Sequence, residues 1–273
     1  MRRVLVSAAF LSCFAVVEAG AKSVRDNANA GTSVSRQDPS AFSGAYVTLG
    51  LHLIRQGISS DFIHGNAGRY ASQEMGGRSK VLPGATIVFG GGSVVKNNRY
   101  YVGLEGCLDI SGNVNYEDYD KESRAPMVRV YNVKTCTKGL GYGIALRAGV
   151  IECCGGAMYY LKGGVERRKL SGVCEGIVTA ALMPPFIGFK SDHEWHVITP
   201  LLGVGLERAL PNGLGFRCEL EYGFRISKEK SVERTAEGVA HAAVAGVYSG
   251  AKVKFQRNAS LNLKLLMVYR IKH

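Results

Sequence analysis

Between residues 214 and 227 the chain alternates with a period of two. Leu214, Phe216, Cys218, Leu220, Tyr222, Phe224 and Ile226 share one side of an extended strand; Gly215, Arg217, Glu219, Glu221, Gly223, Arg225 and Ser227 share the other. A soluble half-buried strand turns its apolar face inward, and its outer face then has no need of glycine. In a small membrane barrel the apolar face meets lipid, and the crowded interior takes glycine and paired charges. The same alternation recurs upstream. Residues 44–54 set Ala45, Val47, Leu49, Leu51 and Leu53 against Tyr46, Thr48 and His52, and residues 84–95 set Ala85, Ile87 and Phe89 against Thr86, Gly90 and Gly92. Residues 99–110 set Tyr100, Val102, Leu104, Leu108 and Ile110 against Arg99, Gly103, Glu105 and Asp109. Residues 140–151 set Leu140, Tyr142, Ile144, Leu146 and Val150 against Gly141, Gly143, Arg147 and Gly149. Two further strands, 157–168 and 196–210, lead into the first through the tight turn Pro211-Asn212-Gly213.

The connections alternate in length. Short turns are expected near 96–98, 152–156 and 211–213, and long loops over 55–79, 111–126, 171–194 and 228–241. Outer-membrane barrels are laid out in this way. The end of the chain leaves the strand count open, because residues 244–255 and 261–271 both alternate and together would make nine strands. An even number follows if the pair is one long bulged strand, if the last segment lies outside an eight-strand barrel, or if residues 176–189 supply a tenth strand. The expected fold is therefore all-β: a closed antiparallel transmembrane β-barrel of eight strands, with ten as the alternative.

Composition agrees with crossing by strands. Hydrophobic residues make up 46% of the chain, with 35 glycines and 13 tyrosines, yet beyond the N-terminus no stretch supplies the roughly 20 uninterrupted apolar residues of a membrane helix. Met1-Arg2-Arg3, an apolar run over residues 4–17 and the small residues Ala19, Gly20 and Ala21 read as a signal peptide over 1–21. A polar, Asn/Ser/Gly-rich leader is expected over 22–41 and the barrel over 42–273. Without the signal the balance is 32 basic against 21 acidic residues. That charge suits contact with anionic lipid or glycan; export and the lack of a basic run or basic helix argue against nucleic acid. Six cysteines remain, which permits disulfides without selecting a pairing. The adjacent Cys153-Cys154 lacks the spacing of a metal knuckle, so no metal or other cofactor is expected.

Short segments then resemble a family. Ser43-Gly44-Ala45-Tyr46-Val47, Tyr101-Val102-Gly103-Leu104-Glu105-Gly106, Arg147-Ala148-Gly149, Gly203-Val204-Gly205-Leu206-Glu207 and residues 217–222 resemble the opacity-type surface porins, among them the surface antigens of rickettsia-like intracellular bacteria. The resemblance implies an eight-stranded outer-membrane barrel with variable external loops and no enzymatic site. The family commonly ends in an aromatic residue. Here Phe255 would take that role, and the chain continues to His273.

Three functions follow for comparison. A lipid-modifying enzyme needs a base held by an orienting partner; Asp192, His193 and His196 come nearest, in an H-x-x-H spacing without the HExxH pattern, and no GxSxG elbow occurs. A small-solute porin needs an open lumen, which eight strands do not leave. The inward faces would moreover carry Glu105, Asp109, Glu166, Glu207, Glu219 and Glu221 against Arg147, Lys162, Arg217, Arg225, Lys252 and Lys254, a set that closes the lumen if it pairs and only wets the rim if it does not. The third function lies in the loops. Phe62, His64, Arg69 and Tyr70 in one, and Tyr116 and Tyr119 among acids in the next, are candidates for contact with a host or environmental surface molecule. The expectation is a surface protein of the bacterial outer membrane, partnered by membrane lipid, of adhesin or surface-antigen type; a membrane-structural role is the alternative.

Overall fold

Strand alternation carries through nearly the whole of the described chain. The computed structural model describes residues 39–66, 69–95, 99–124, 127–152, 156–180, 183–231, 233–234 and 252–271. The expected signal peptide, and the leader as far as Asp38, lie outside them. The strands are β1 (Gly44–Asn66), β2 (Arg69–Val95), β3 (Tyr100–Ser111), β4 (Val114–Arg124), β5 (Met127–Ile151), β6 (Ala157–Ala180), β7 (Met183–Ala209), β8 (Leu214–Gly223), β9 (Ile226–Ser231), β10 (Glu233–Arg234), β11 (Lys252–Arg257) and β12 (Ser260–Arg270).

Eight of these close the barrel, in the order β1, β2, β3, β5, β6, β7, β8, β12 and back to β1, each antiparallel to its neighbours. β4 continues β3 and pairs with β5, and β9 follows β8 after a break at Phe224-Arg225. β11 and β12 both pair with β1, Arg257 opposite Ile58 and Leu261 opposite Arg55. They are one long strand interrupted at Asn258-Ala259, where the Asn258 amide donates to the Gly57 carbonyl at 2.8 Å. The uncertain strand count therefore resolves to eight, by way of a bulge rather than by an extra or discarded strand.

The expected long loops are a correction. β1 runs on to Asn66 and β2 starts at Arg69, so most of 55–79 is hairpin, as are 114–137 and 171–194. Backbone groups that leave the bilayer go on pairing with their neighbours, so these strands project beyond the membrane band instead of dissolving into loops. Of the expected turns, Pro211-Asn212-Gly213 is observed as a compact turn with Asn212 at φ 63° and Gly213 at φ 76°, left-handed positions that asparagine and glycine adopt at least cost.

The wall has opposite polarity at different heights. Along β1, Leu49, Leu51 and Leu53 face outward, Leu51 being 71% exposed, while Tyr46, Thr48 and His52 are buried inside. Leu146 (63%) and Leu161 (66%) repeat this on β5 and β6. Exposed Tyr100, Tyr159 and Tyr269 edge this apolar band toward the short turns, and Tyr142, Tyr222 and Phe224 edge it at the other end. An apolar band between aromatic girdles, wrapped around a charged interior, is the surface of a membrane-spanning barrel. In the projecting strands the polarity reverses: Ile58, Val114, Val133, Leu170, Cys174, Val197, Val253 and Phe255 form an apolar cluster inside, with Trp195 packed against it. Outside stand exposed Lys134, Lys138, Asp192 and Glu194. Water replaces lipid as the solvent there, and the apolar side chains turn inward as in a soluble barrel.

Candidate functional site

The barrel interior is where this sequence brings its chemistry together. Alternation on eight tilted strands sends every second side chain into a narrow lumen, and two tyrosines fix its floor. Tyr46 lies flat over Gly90, where a Cβ would come within 2.5 Å of the ring, and Tyr160 covers Gly205 in the same way. Gly90 and Gly205 thus leave the space that these two rings occupy.

Around the tyrosines sits the first layer of charges. Arg147 reaches Glu105 at 2.8 Å and Glu207 at 2.9 Å; Arg217 reaches the same two carboxylates at 2.7 and 2.9 Å. Arg270 bonds the second oxygen of Glu207. The hydroxyls of Tyr46 and Tyr160 donate to Glu105 and Glu219, each at 2.6 Å, and the Arg147 guanidinium lies 3.9 Å from the Tyr160 ring centroid. Lys162 links this layer to the next, meeting Glu105 at 3.2 Å, Glu219 at 3.1 Å and Glu221 at 2.6 Å. In the second layer Lys264 holds Glu221 at 2.9 Å and Asp109 at 3.0 Å, and Thr86 donates to Asp109 at 2.6 Å. Above it Glu166 is shared between Arg168 at 2.6 Å and Arg257 at 2.8 Å.

Apolar side chains cover both ends of this column. Toward the short turns are Phe42, Tyr101, Ile151, Met158 and Ala209, all buried, with Arg270 over the Phe42 ring at 5.3 Å. Phe42 ends a 3-10 turn, Pro39–Phe42, whose Ser40 carbonyl accepts from the Ser43 amide at 2.9 Å. Ala41, at the end of the expected leader, packs partly buried against this plug beside Phe42. At the other end lies the apolar cluster of the projecting strands.

Of the expected lumen charges, Glu105, Asp109, Arg147, Lys162, Glu166, Glu207, Arg217, Glu219 and Glu221 are buried in this column. Three are not. Arg225 is exposed at the break between β8 and β9, which turns it away from the Glu219–Gly223 row. Lys252 is exposed and Lys254 half-buried, while Val253 and Phe255 take the inner positions. Those lysines were placed by the rule that apolar residues face lipid, and β11 lies above the band where that rule reverses.

Four interior bases escape the sequence reading: Arg168, Arg257, Lys264 and Arg270. Arg168 shares the parity of Lys162 and Glu166, and Lys264 and Arg270 that of Asn262, so alternation alone would have found them. Arg257 is hidden by the bulge at Asn258-Ala259. Among the loop candidates, Phe62, His64, Arg69 and Tyr70 belong to the β1–β2 hairpin, and Tyr119 pairs with Asn132 in the β4–β5 ladder; the side chains of these five lie outside the described residues. Tyr116 packs half-buried against the inner apolar cluster instead of standing free in a loop, because it shares the inward parity of Val114. The trio weighed for catalysis does not converge: Asp192 and His196 are exposed on the outer face, while His193 lies half-buried, its ring 6.4 Å from Trp195 edge-to-face. Three residues along a strand put two imidazoles on opposite faces. Cys107, Cys136 and Cys174 are free thiols; Cys153 and Cys154 lie outside the described residues.

These features define a closed eight-stranded transmembrane β-barrel with an ion-paired lumen. Several solved barrels are similar to the chain. The outer membrane protein OprG from Pseudomonas aeruginosa shares 14% identity over 85% of this chain and 97% of that one, with a TM-score of 0.43. Neisserial surface protein A shares 11% over 82% and 99%, with a TM-score of 0.30. The attachment invasion locus protein Ail of Yersinia pestis shares 10% over 80% and 98%, with a TM-score of 0.25. No protein-family model and no curated protein matches the chain.

Proposed function

We propose that this protein is a surface protein of the bacterial outer membrane, in which the barrel is a closed anchor and the projecting hairpins carry the function as a contact surface for a host or environmental molecule. The single observation that carries this is the filled lumen: a column of ion pairs from Arg270 to Arg257, covered by apolar clusters at both ends, leaves the barrel itself no path for a solute. Length on one rim only, with short turns on the other, supports display on one side of the membrane. The resemblance to opacity-type surface proteins in residues 43–47, 101–106 and 203–207 points the same way. We read the chain as non-catalytic, in keeping with the separation of His193 from His196 across the wall.

The test has two parts. Protein refolded into planar bilayers is expected to give no stepwise conductance; discrete steps would turn the reading to a small-solute porin. Replacing the hairpin tips at residues 62–73 and 118–131 with short Gly-Ser turns leaves the inner cluster intact and is expected to reduce attachment of expressing cells to a target surface. If such barrels assemble normally and attachment is unchanged, a membrane-structural role is what remains.

A further inference from the structure

Two open clefts lie one above the other on the outer wall along β5 and β6, and they share Tyr142. The upper one, of about 400 Å³, sits at the rim of the apolar band and is lined by Ser111, Asn113, Lys138, Lys169 and His196. It exists because the ladder is irregular there. Thr137 pairs with Leu170 and Gly141 with Arg168, so Lys138, Gly139 and Leu140 stand opposite the single residue Lys169. The bulge is clamped from within: buried Arg168 donates to the Gly139 carbonyl at 3.1 Å and to Ser111 at 3.3 Å, and the Gly139 amide donates to the Asn113 side chain at 2.8 Å.

The lower cleft, also of about 400 Å³, lies within the band and is apolar, walled by Phe89, Leu108, Ile144, Val165 and Ile198. Its floor includes Gly106, where an added Cβ would meet nothing nearer than 4.0 Å. Arg167 marks the boundary, its guanidinium 5.7 Å from the Tyr142 ring centroid. The upper cleft is basic. Glu194 pairs with Lys169 at 2.6 Å and its charge also interacts with Lys138 and His196, so that one carboxylate stands among three bases, with Arg167 just below.

We propose that the two clefts together bind one phosphate-bearing membrane lipid, its headgroup against Lys138, Arg167, Lys169 and His196 and an acyl chain in the groove over Gly106. Cations at the height of the headgroups attract anionic lipid, and tyrosine at the same level suits the interface. A soluble phosphate would use the upper cleft alone; the apolar groove directly beneath favours a lipid. The proposal rests on the membrane-spanning fold and is independent of what the hairpins contact.

The test is native mass spectrometry of the refolded full-length barrel released from neutral detergent, with phosphatidylglycerol, phosphatidylcholine and glycerol 3-phosphate as probes. Phosphatidylglycerol is expected to be retained in preference to phosphatidylcholine, and Lys138→Ala with Lys169→Ala to lower its retention by about tenfold or more. The double arginine variant, Lys138→Arg with Lys169→Arg, is expected to restore it. Gly106→Leu, which fills the groove and leaves the cations in place, is expected to lower lipid retention as well, and serves should the alanine variant fail to fold. Heat-modifiable migration establishes folding of each variant. Equal retention of the two lipids, or retention unchanged in both the alanine and the Gly106→Leu proteins, overturns the proposal. Binding of glycerol 3-phosphate as tight as that of the lipid overturns the assignment to a membrane lipid.

Discussion

Glu207 gathers three guanidinium groups in the lumen, since it accepts from Arg147, Arg217 and Arg270. Desolvating so many charges is costly, and they persist because each is paired. Glu207→Gln keeps the shape and removes the charge, leaving Arg147 and Arg217 to Glu105 and Glu219 and taking from Arg270 the carboxylate it pairs with. The expected loss is about 3–5 kcal/mol of stability, measured by urea unfolding of the lipid-refolded barrel. A loss below about 1 kcal/mol would mean that water reaches this layer and screens it. The cysteines offer a second check at this scale. Cys174 is fully buried in the projecting cluster, and burial, then the neighbouring Glu175, pushes its thiol up to about 12. Cys136, on the same stretch of wall, is half-buried with the opposite parity. The thiolate is the reactive form, and raising the thiol depletes it at neutral pH. Maleimide at pH 7 is expected to label Cys136 well ahead of Cys174 in folded protein, and both alike once the barrel is denatured.

Within single strands, the change of solvent along the chain decides which face is which. On β5, Leu140, Ile144 and Leu146 face outward within the band, whereas Val133 on the same strand is buried inside above it. The apolar row changes sides between Val133 and Leu140, and the bulge at Lys138–Leu140 lies at that boundary. Leu146→Arg puts a cation in mid-band and is expected to cost about 2–4 kcal/mol, seen as a lower yield of heat-modifiable barrel. Phe255→Ala acts above the band, where the ring packs on Trp195 at 5.4 Å and fills the space over Gly172. Its expected effect is different in kind: the membrane barrel still forms, and the projecting strands lose resistance to protease, with a local cost of about 3–5 kcal/mol. Equal damage to insertion by both variants would mean that the two sections fold as one unit.

For the whole molecule, closure without an edge is what lets eight strands stand in a membrane, because every backbone group inside the band finds a neighbouring strand. The last contact to form in chain order is that of β12 with β1, from Tyr46 opposite Arg270 to Arg55 opposite Leu261. Truncation after Asn258 removes β12 and with it Lys264 and Arg270, leaving two edges, Asp109 without its lysine and Glu207 with two of its three arginines. Such a protein is expected to give no heat-modifiable species at all, whereas trimming the hairpin tips leaves that species intact. The two truncations together separate the part of the molecule that makes the barrel from the part that is displayed.

Alternation by itself determined much of this: a closed all-β barrel, the outward rows of β1, β3, β5 and β8, and the inward set from Glu105 to Glu221. The reason is that period-two patterning is a local property, and within a uniform band of lipid one rule assigns both faces. Three things were decided only by the assembled fold. Whether residues 252–270 made one strand or two depended on both segments meeting β1, which no local pattern records. The inward turn of Val253 and Phe255, against Lys252 and Lys254, depended on how far β11 stands above the membrane. Arg217 meets Glu207 directly across the β7–β8 hairpin, but the convergence of Arg147 and Arg270 on the same carboxylate depended on bringing β5 and β12, each two strands away from β7, around the barrel wall, a distance in space that the spacing of residues along the chain does not contain.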